Sequence, residues 1–235
     1  MSSRRRIAAA AVAAALLAVL AAVVAARQGA PFRFDSAVHR WVLSDRTATW
    51  TAAARSISFT GTGVPPYALA ALAGALASSS RRRWWRGALI GAVALALAQA
   101  VRLALATALA RPRPPRADWA AAASGAALPS GHTTTAALVA VGLAAALLAF
   151  CHRPWTRILV CAVPALWAAG VGASRVYLGV HWPTDVLAGW LLTATLTCAL
   201  MPRLAAVLRR LTSDPPEPAD RDDRGGPERG HRPGL

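Results

Sequence analysis

Apolar residues come in long runs along this chain, and most polar residues are gathered between the runs. The first run, residues 7–26, follows Arg4-Arg5-Arg6 and is 20 residues long. As a helix that length crosses the ~30 Å hydrocarbon core of a bilayer. The apolar part of a signal peptide is usually only ~7–15 residues, so a retained span is the expectation and cleavage after an Ala-x-Ala site the alternative. Further runs occupy about 64–78, 87–110, 133–150, 158–173 and 186–200, the first of these opening with Pro65-Pro66. Between the first two spans lies a mixed stretch, 27–63. There Phe34, Val38, Trp41 and Val42 recur at helical spacing behind Asp35-Ser36, predicting a short amphipathic helix capped by that pair and lying in the interface. The expectation is an all-α, polytopic membrane protein of about six spans. It divides into a membrane-embedded domain over 1–202 and a tail over 203–235, whose Asp, Arg, Pro and Gly predict disorder.

Composition strengthens the membrane reading. Hydrophobic residues make up 56% and charged residues 15%, and mean hydropathy is +0.41. The formal charge is nevertheless +16. All 26 basic residues are Arg, and six of the ten acids lie in the last 22 residues. A nucleic-acid binder would spread such charge over a polar folded surface. Here Arg punctuates apolar runs instead, as it does in the loops of membrane proteins, so no nucleic-acid partner is expected. With both termini inside, the cytoplasmic segments carry twelve Arg and the outer segments nine. The short loops therefore favour cytoplasmic termini in a cell membrane. Cys151, Cys161 and Cys198 lack metal-site spacing and read as small buried hydrophobes. Nothing in the sequence bears on oligomeric state.

The chemistry-bearing residues fall on one face of the membrane whichever way the chain is oriented. They lie in segments 111–116, 129–132 and 174–185. Ser130 of Pro129-Ser130-Gly131-His132 is a good N-cap for the helix that follows, and the free N–H groups of a first helical turn attract anions. Ser174-Arg175 is followed after five residues by His181 and after three more by Asp185. Pro183 suits the first position of the next helix, which puts Asp185 in its opening turn. A carboxylate there can accept the imidazole N–H and fix its tautomer. Of the remaining histidines only His39 could approach this face, and it reads as a solvated interfacial residue.

These motifs resemble those of the type 2 phosphatidic acid phosphatase superfamily of lipid phosphatases and vanadium haloperoxidases. That family carries Lys-x6-Arg-Pro, Pro-Ser-Gly-His and Ser-Arg-x5-His-x3-Asp. The second and third motifs are complete in this chain; the first keeps Arg113-Pro114 but has Ala106 where the family has Lys. The nearest cation is Arg102, one turn deeper, ~5.4 Å along a helix. Either the third span is unwound or carries an inserted turn so that Arg102 reaches the site, or Arg102 snorkels or pairs elsewhere.

The resemblance implies six spans with an active site at the outer membrane face and phosphoryl transfer without a metal or other cofactor. His181 would be the nucleophile, Asp185 its orienting partner, and His132 the general acid and then base. Arg113, Arg175, Ser130, Gly131 and, if it reaches the site, Arg102 would bind the substrate phosphate, fixed cations doing the work of Mg²⁺. The implied partner is a membrane lipid carrying a phosphate or pyrophosphate. Undecaprenyl pyrophosphate comes first, with phosphatidic acid and phosphatidylglycerol phosphate as alternatives. The composition excludes a soluble haloperoxidase. A metal site on His132, His181 and Asp185 would lack a second carboxylate or Cys. A small transporter would place its ionisable groups near the midplane rather than at helix ends, and an inactive lipid-phosphate binder is the remaining alternative.

Overall fold

The structure, a computed structural model, describes residues 2–213. Of the tail over 203–235 that was expected to be disordered, residues 203–212 instead continue the last helix, and 214–235 lie outside the described residues. Eight α-helices follow one another: α1 (Ser3–Ala26), α2 (Arg33–Asp45), α3 (Ala48–Thr60), α4 (Val64–Leu76), α5 (Trp84–Leu109), α6 (Gly131–Leu148), α7 (Pro154–Tyr177) and α8 (Pro183–Thr212). Among the described residues there is no strand, so the all-α expectation holds. Five helices (α1, α5, α6, α7 and α8) are long and apolar enough to cross a membrane. The expected sixth span, α4, is apolar but has only 13 residues, about 20 Å at 1.5 Å per residue.

Four expectations from the sequence need correction. The mixed stretch 27–63 forms two helices rather than one, because Thr47 starts a second helix by accepting from the Trp50 N–H. The N-cap of α2 is Phe32, not the Asp35-Ser36 pair. Asp35 sits three residues in and accepts from the Phe32 N–H at 3.1 Å. The last two spans are also longer than their apolar runs. α7 extends through Ser174 and Arg175 to Tyr177, and α8 passes through Pro202 to Thr212. None of the three cysteines is buried, and Cys161 is exposed on the surface of α7.

Packing is built from small side chains, as befits helices that cannot rely on water to drive them together. α4 and α5 approach backbone to backbone: a Cβ on Gly74 would lie 2.0 Å from the Gly87 carbonyl oxygen. α1 packs along α8, where Leu17 and Val24 join Leu128, Ala188 and Leu192. α6 and α7 meet through Ala136, Ala140, Ala168 and Val171. The result brings the end of α5, the start of α6, the end of α7 and the start of α8 to one end of the bundle. α2 and α3 both pack on α7 there.

Candidate active site

Two helix starts are joined first. The Ser130 N–H, just ahead of α6, donates to the Asp185 carbonyl in the first turn of α8 at 3.1 Å. His181 lies in the tight connection between α7 and α8 and is 2% exposed. That connection turns at Gly179, whose φ is +71° and whose missing side chain lets it press on the Asp118 carbonyl: a Cβ there would meet it at 2.5 Å.

Two partners decide the state of the His181 ring. Nε2 lies 2.8 Å from an Arg113 Nη1. A guanidinium has donors only, so Nε2 must be the unprotonated nitrogen. The proton is then on Nδ1, which faces Asp185 Oδ2 at 3.3 Å. Burial pushes the His181 pKa down to about 4, with the charges of Arg113 and Arg175 adding to it and the hydrogen bond and charge of Asp185 opposing it. The ring is therefore a free base at neutral pH, with its lone pair on Nε2.

Arg113 is fully committed. Its Nε donates to Gly125 O, Nη1 to Val180 O as well as to His181, and Nη2 to Ser124 O and Ala126 O. Those five contacts use its five N–H groups, so it binds this loop to the nucleophile. Burial lowers its pKa, Asp185 acting against this and Arg102 with it.

Arg175 presents the opposite case. It is 3% exposed, yet its one polar contact is a 2.8 Å donation to the Ser58 hydroxyl of α3, and its Nε is buried without a partner. No carboxylate among the described residues pairs with it. Arg102 is half-buried on α5 and donates at 3.4 Å to Gln99. Its guanidinium lies against Gly131, where a Cβ would be 3.4 Å from Arg102 Cζ. α5 is an unbroken helix here, so Arg102 is not brought in by unwinding. An arginine side chain is long enough to cover the missing turn, while Ala106 is itself buried. His132, half-buried in the second position of α6, stands within electrostatic reach of Arg175, His181, Arg113 and Arg102. Ser130 is buried at the N-cap, but its hydroxyl accepts from Thr133 Oγ1 at 3.0 Å rather than from a backbone amide.

The structure thus gathers His132, His181, Asp185, Arg102, Arg113, Arg175, Ser130 and Gly131 at one end of the bundle. It also adds residues the sequence did not single out. Arg111 donates to Asp185 Oδ1 at 2.6 Å and to Asp35 Oδ2 at 2.8 Å. His39 is not solvated: it is buried, its Nε2 lies 2.9 Å from Asp118 Oδ2, and its ring stands 5.3 Å from that of Trp182. The doubled Arg-Pro of Arg111-Pro112-Arg113-Pro114 was the available signal for Arg111. An apolar groove of about 540 Å³ opens among α4, α5, α6 and α8, lined by Leu95, Val139, Leu196 and Leu208; it lies toward the other end of the bundle and none of the gathered residues lines it.

Comparison with known proteins places this arrangement. The sequence model of the PAP2 superfamily matches residues 87–208, more than half of the chain and all eight of the gathered candidate residues. The chain belongs to the PAP2 superfamily. Phosphatidylglycerophosphatase B of Escherichia coli K12 is 43% identical over 81 residues, 32% of this chain and 29% of that protein. Undecaprenyl-diphosphatase of Sulfolobus acidocaldarius is 45% identical over 64 residues, 27% of each chain. The match therefore spans less than a third of either relative. A solved structure extends the likeness of fold to most of the chain: a transmembrane PAP2 type phosphatidylglycerolphosphate phosphatase from Bacillus subtilis superposes with a TM-score of 0.68. It has 24% identity and covers 86% of this chain and 98% of that one.

Proposed function

We propose that this PAP2 protein is an integral-membrane lipid phosphatase that hydrolyses a lipid phosphate or pyrophosphate through a phosphohistidine, without a metal ion. The observation that carries the reading is a pair of sparsely paired guanidiniums, Arg175 and Arg102, without carboxylates beside the start of α6. A buried cation without a counter-ion is costly, and a phosphate bound at the free N–H groups of α6 would supply that counter-ion.

In the proposed sequence the His181 Nε2 lone pair attacks phosphorus as the bond to the leaving oxygen breaks, and His132 protonates that oxygen. Water then attacks the phosphohistidine with His132 as base, releasing phosphate and restoring the ring. The Arg113 N–H on Nε2 must give way as phosphorus arrives, and it can follow the electron pair onto a phosphate oxygen. Arg102, Arg175 and the Gly131 N–H face the equatorial oxygens, with Ser130 framing the helix start. Metal independence is supported by the donor set: both Asp185 oxygens are already engaged by Arg111, the Trp182 N–H and His181.

The long apolar helices, which set the site at the end of a membrane-spanning bundle, favour a lipid over a soluble phosphate ester. The Arg distribution favours cytoplasmic termini in the cell membrane and a site on the outer face. The names of the two relatives set the substrate panel, with undecaprenyl pyrophosphate first and phosphatidylglycerol phosphate and phosphatidic acid next. The test is phosphate release from each lipid by purified protein in detergent with chelator present. Release that His181→Ala abolishes is expected; an active His181→Ala protein, or wild-type activity lost to chelator, would overturn the reading.

A further inference from the structure

Behind the nucleophile lies a buried charge cluster in which Asp185 is joined by two residues, Arg111 and Asp35, that the proposed reaction does not use. Arg111 and Asp35 are 1% and 0% exposed, and Asp185 is 0% exposed. Arg111 forks between the two carboxylates, at 2.8 Å to Asp35 and 2.6 Å to Asp185. The Thr184 hydroxyl ties the cluster together, accepting from Arg111 at 2.7 Å and donating to Asp35. The Thr184 N–H, in the first turn of α8, also donates to Asp35 Oδ1 at 3.0 Å. Asp35 therefore caps the helix that carries Asp185, although it belongs to α2, 150 residues earlier.

The second oxygen of Asp185 completes the chain. With Oδ1 held by Arg111, Oδ2 is left to accept from the Trp182 N–H at 2.8 Å and to face His181 Nδ1. Held at Oδ1 by Arg111 and at Oδ2 by the Trp182 N–H, the carboxylate has no free oxygen about which to turn, and Arg111 sets from behind the direction in which it meets the imidazole. α2 makes a second contact of the same kind one turn on, where His39 packs against Trp182, the neighbour of His181.

We propose that Asp35 and Arg111 are positioning residues for the nucleophile: Asp35 orients the Arg111 fork, and the fork fixes Asp185 so that it aims His181. The inference rests on the assignment of His181 as nucleophile. It makes α2, outside the PAP2-matched region 87–208, part of the apparatus that prepares the reactive ring. Neither residue touches substrate, so their loss acts on the reacting step and not on binding.

The experiment is a double-mutant cycle of Asp35→Asn and Asp185→Asn, read as kcat and KM for lipid phosphate hydrolysis in detergent. Asp35→Asn is expected to lower kcat roughly 10- to 100-fold, the scale of a ~1 Å misplacement of a reacting group, with KM changed less than about twofold. In the Asp185→Asn background the same change is expected to cost nothing more, because Asp35 acts through Asp185. Arg111→Lys keeps the charge but cannot fork to two carboxylates, and it is expected to follow Asp35→Asn. Equal fold losses in both backgrounds, or a rise in KM with kcat intact, would overturn the proposal. Thr184→Ala, read by the same cycle, decides the matter if Asp35→Asn does not fold. Activity surviving in His181→Ala would instead sink the nucleophile assignment, whatever the cycle gave.

Discussion

Arg111 and Arg175 stand at the same end of the bundle and are buried to nearly the same degree, yet their surroundings differ completely. Arg111 lies between two carboxylates and also donates to a hydroxyl and a backbone carbonyl. Arg175 has one hydroxyl and an orphaned Nε. A buried cation whose partners are all supplied by the chain belongs to the architecture. One whose partners are withheld is poised for something the chain does not contain, and a phosphate is the group that fits beside a helix start.

The comparison predicts opposite outcomes for the same substitution. Arg111→Met leaves two buried carboxylates with no cation between them, and breaking a buried pair from one side costs about 3–5 kcal/mol. A large fall in the thermal midpoint in detergent is expected. Arg175→Met removes an uncompensated charge and leaves only a small hydroxyl without its donor. Its midpoint is expected to hold or rise, while kcat for lipid phosphate falls by roughly 10²–10³, the range for one lost transition-state donor. If Arg175→Met proved the less stable of the two, the distinction between balanced and unbalanced charge would fail.

His181 supplies a pH test of the same boundary. Its folded pKa, about 4, lies below the ~6.5 of an unperturbed histidine. Between those values the unfolded chain binds a proton that the folded chain does not, so stability falls as pH drops from about 6.5 toward 4 and levels off below. Wild type compared with His181→Gln isolates this contribution, which is expected to be about 3 kcal/mol at ~1.4 kcal/mol per unit. A wild-type protein whose stability tracked His181→Gln across that range would mean that the ring is protonated in the fold.

How much of this could be read from the sequence depended on whether a residue acts through its neighbours in sequence or across the fold. His181, Asp185 and the helix starts at Ser130 and Pro183 were legible because caps and i,i+4 pairs are local. The apolar runs located five long helices for the same reason, since span length and hydropathy are local quantities. The ends of α7 and α8 were not legible, because polar residues such as Ser174 and Arg175 stay helical when other helices pack around them. Asp35 looked like an N-cap and His39 like a wet surface residue. Their partners, Thr184, Arg111 and Asp118, lie 149, 76 and 79 positions away, and no periodicity carries information over that distance. Arg175 and Arg102 were singled out through the family motifs, but that neither would find an acid was not legible, for a sequence does not say which arginine stays unpaired.

Arg102 offers the finest version of the comparison. It stands where spacing alone does not put a cation, four residues before the position at which the family has Lys, and it reaches Gly131 from a regular helix. Like Arg175 it has no carboxylate, but it is only half-buried and retains Gln99. A phosphate gains less from a cation that water already screens. Arg102→Gln is therefore expected to lower kcat/KM by about tenfold, near 1.4 kcal/mol, less than the loss for Arg175→Met. The thermal midpoint is expected to change little, as an exposed edge of the site tolerates an amide in place of a guanidinium. An effect as large as that of Arg175→Met would mean that Arg102 replaces the missing Lys in full. No effect would mean that its place against Gly131 serves packing alone.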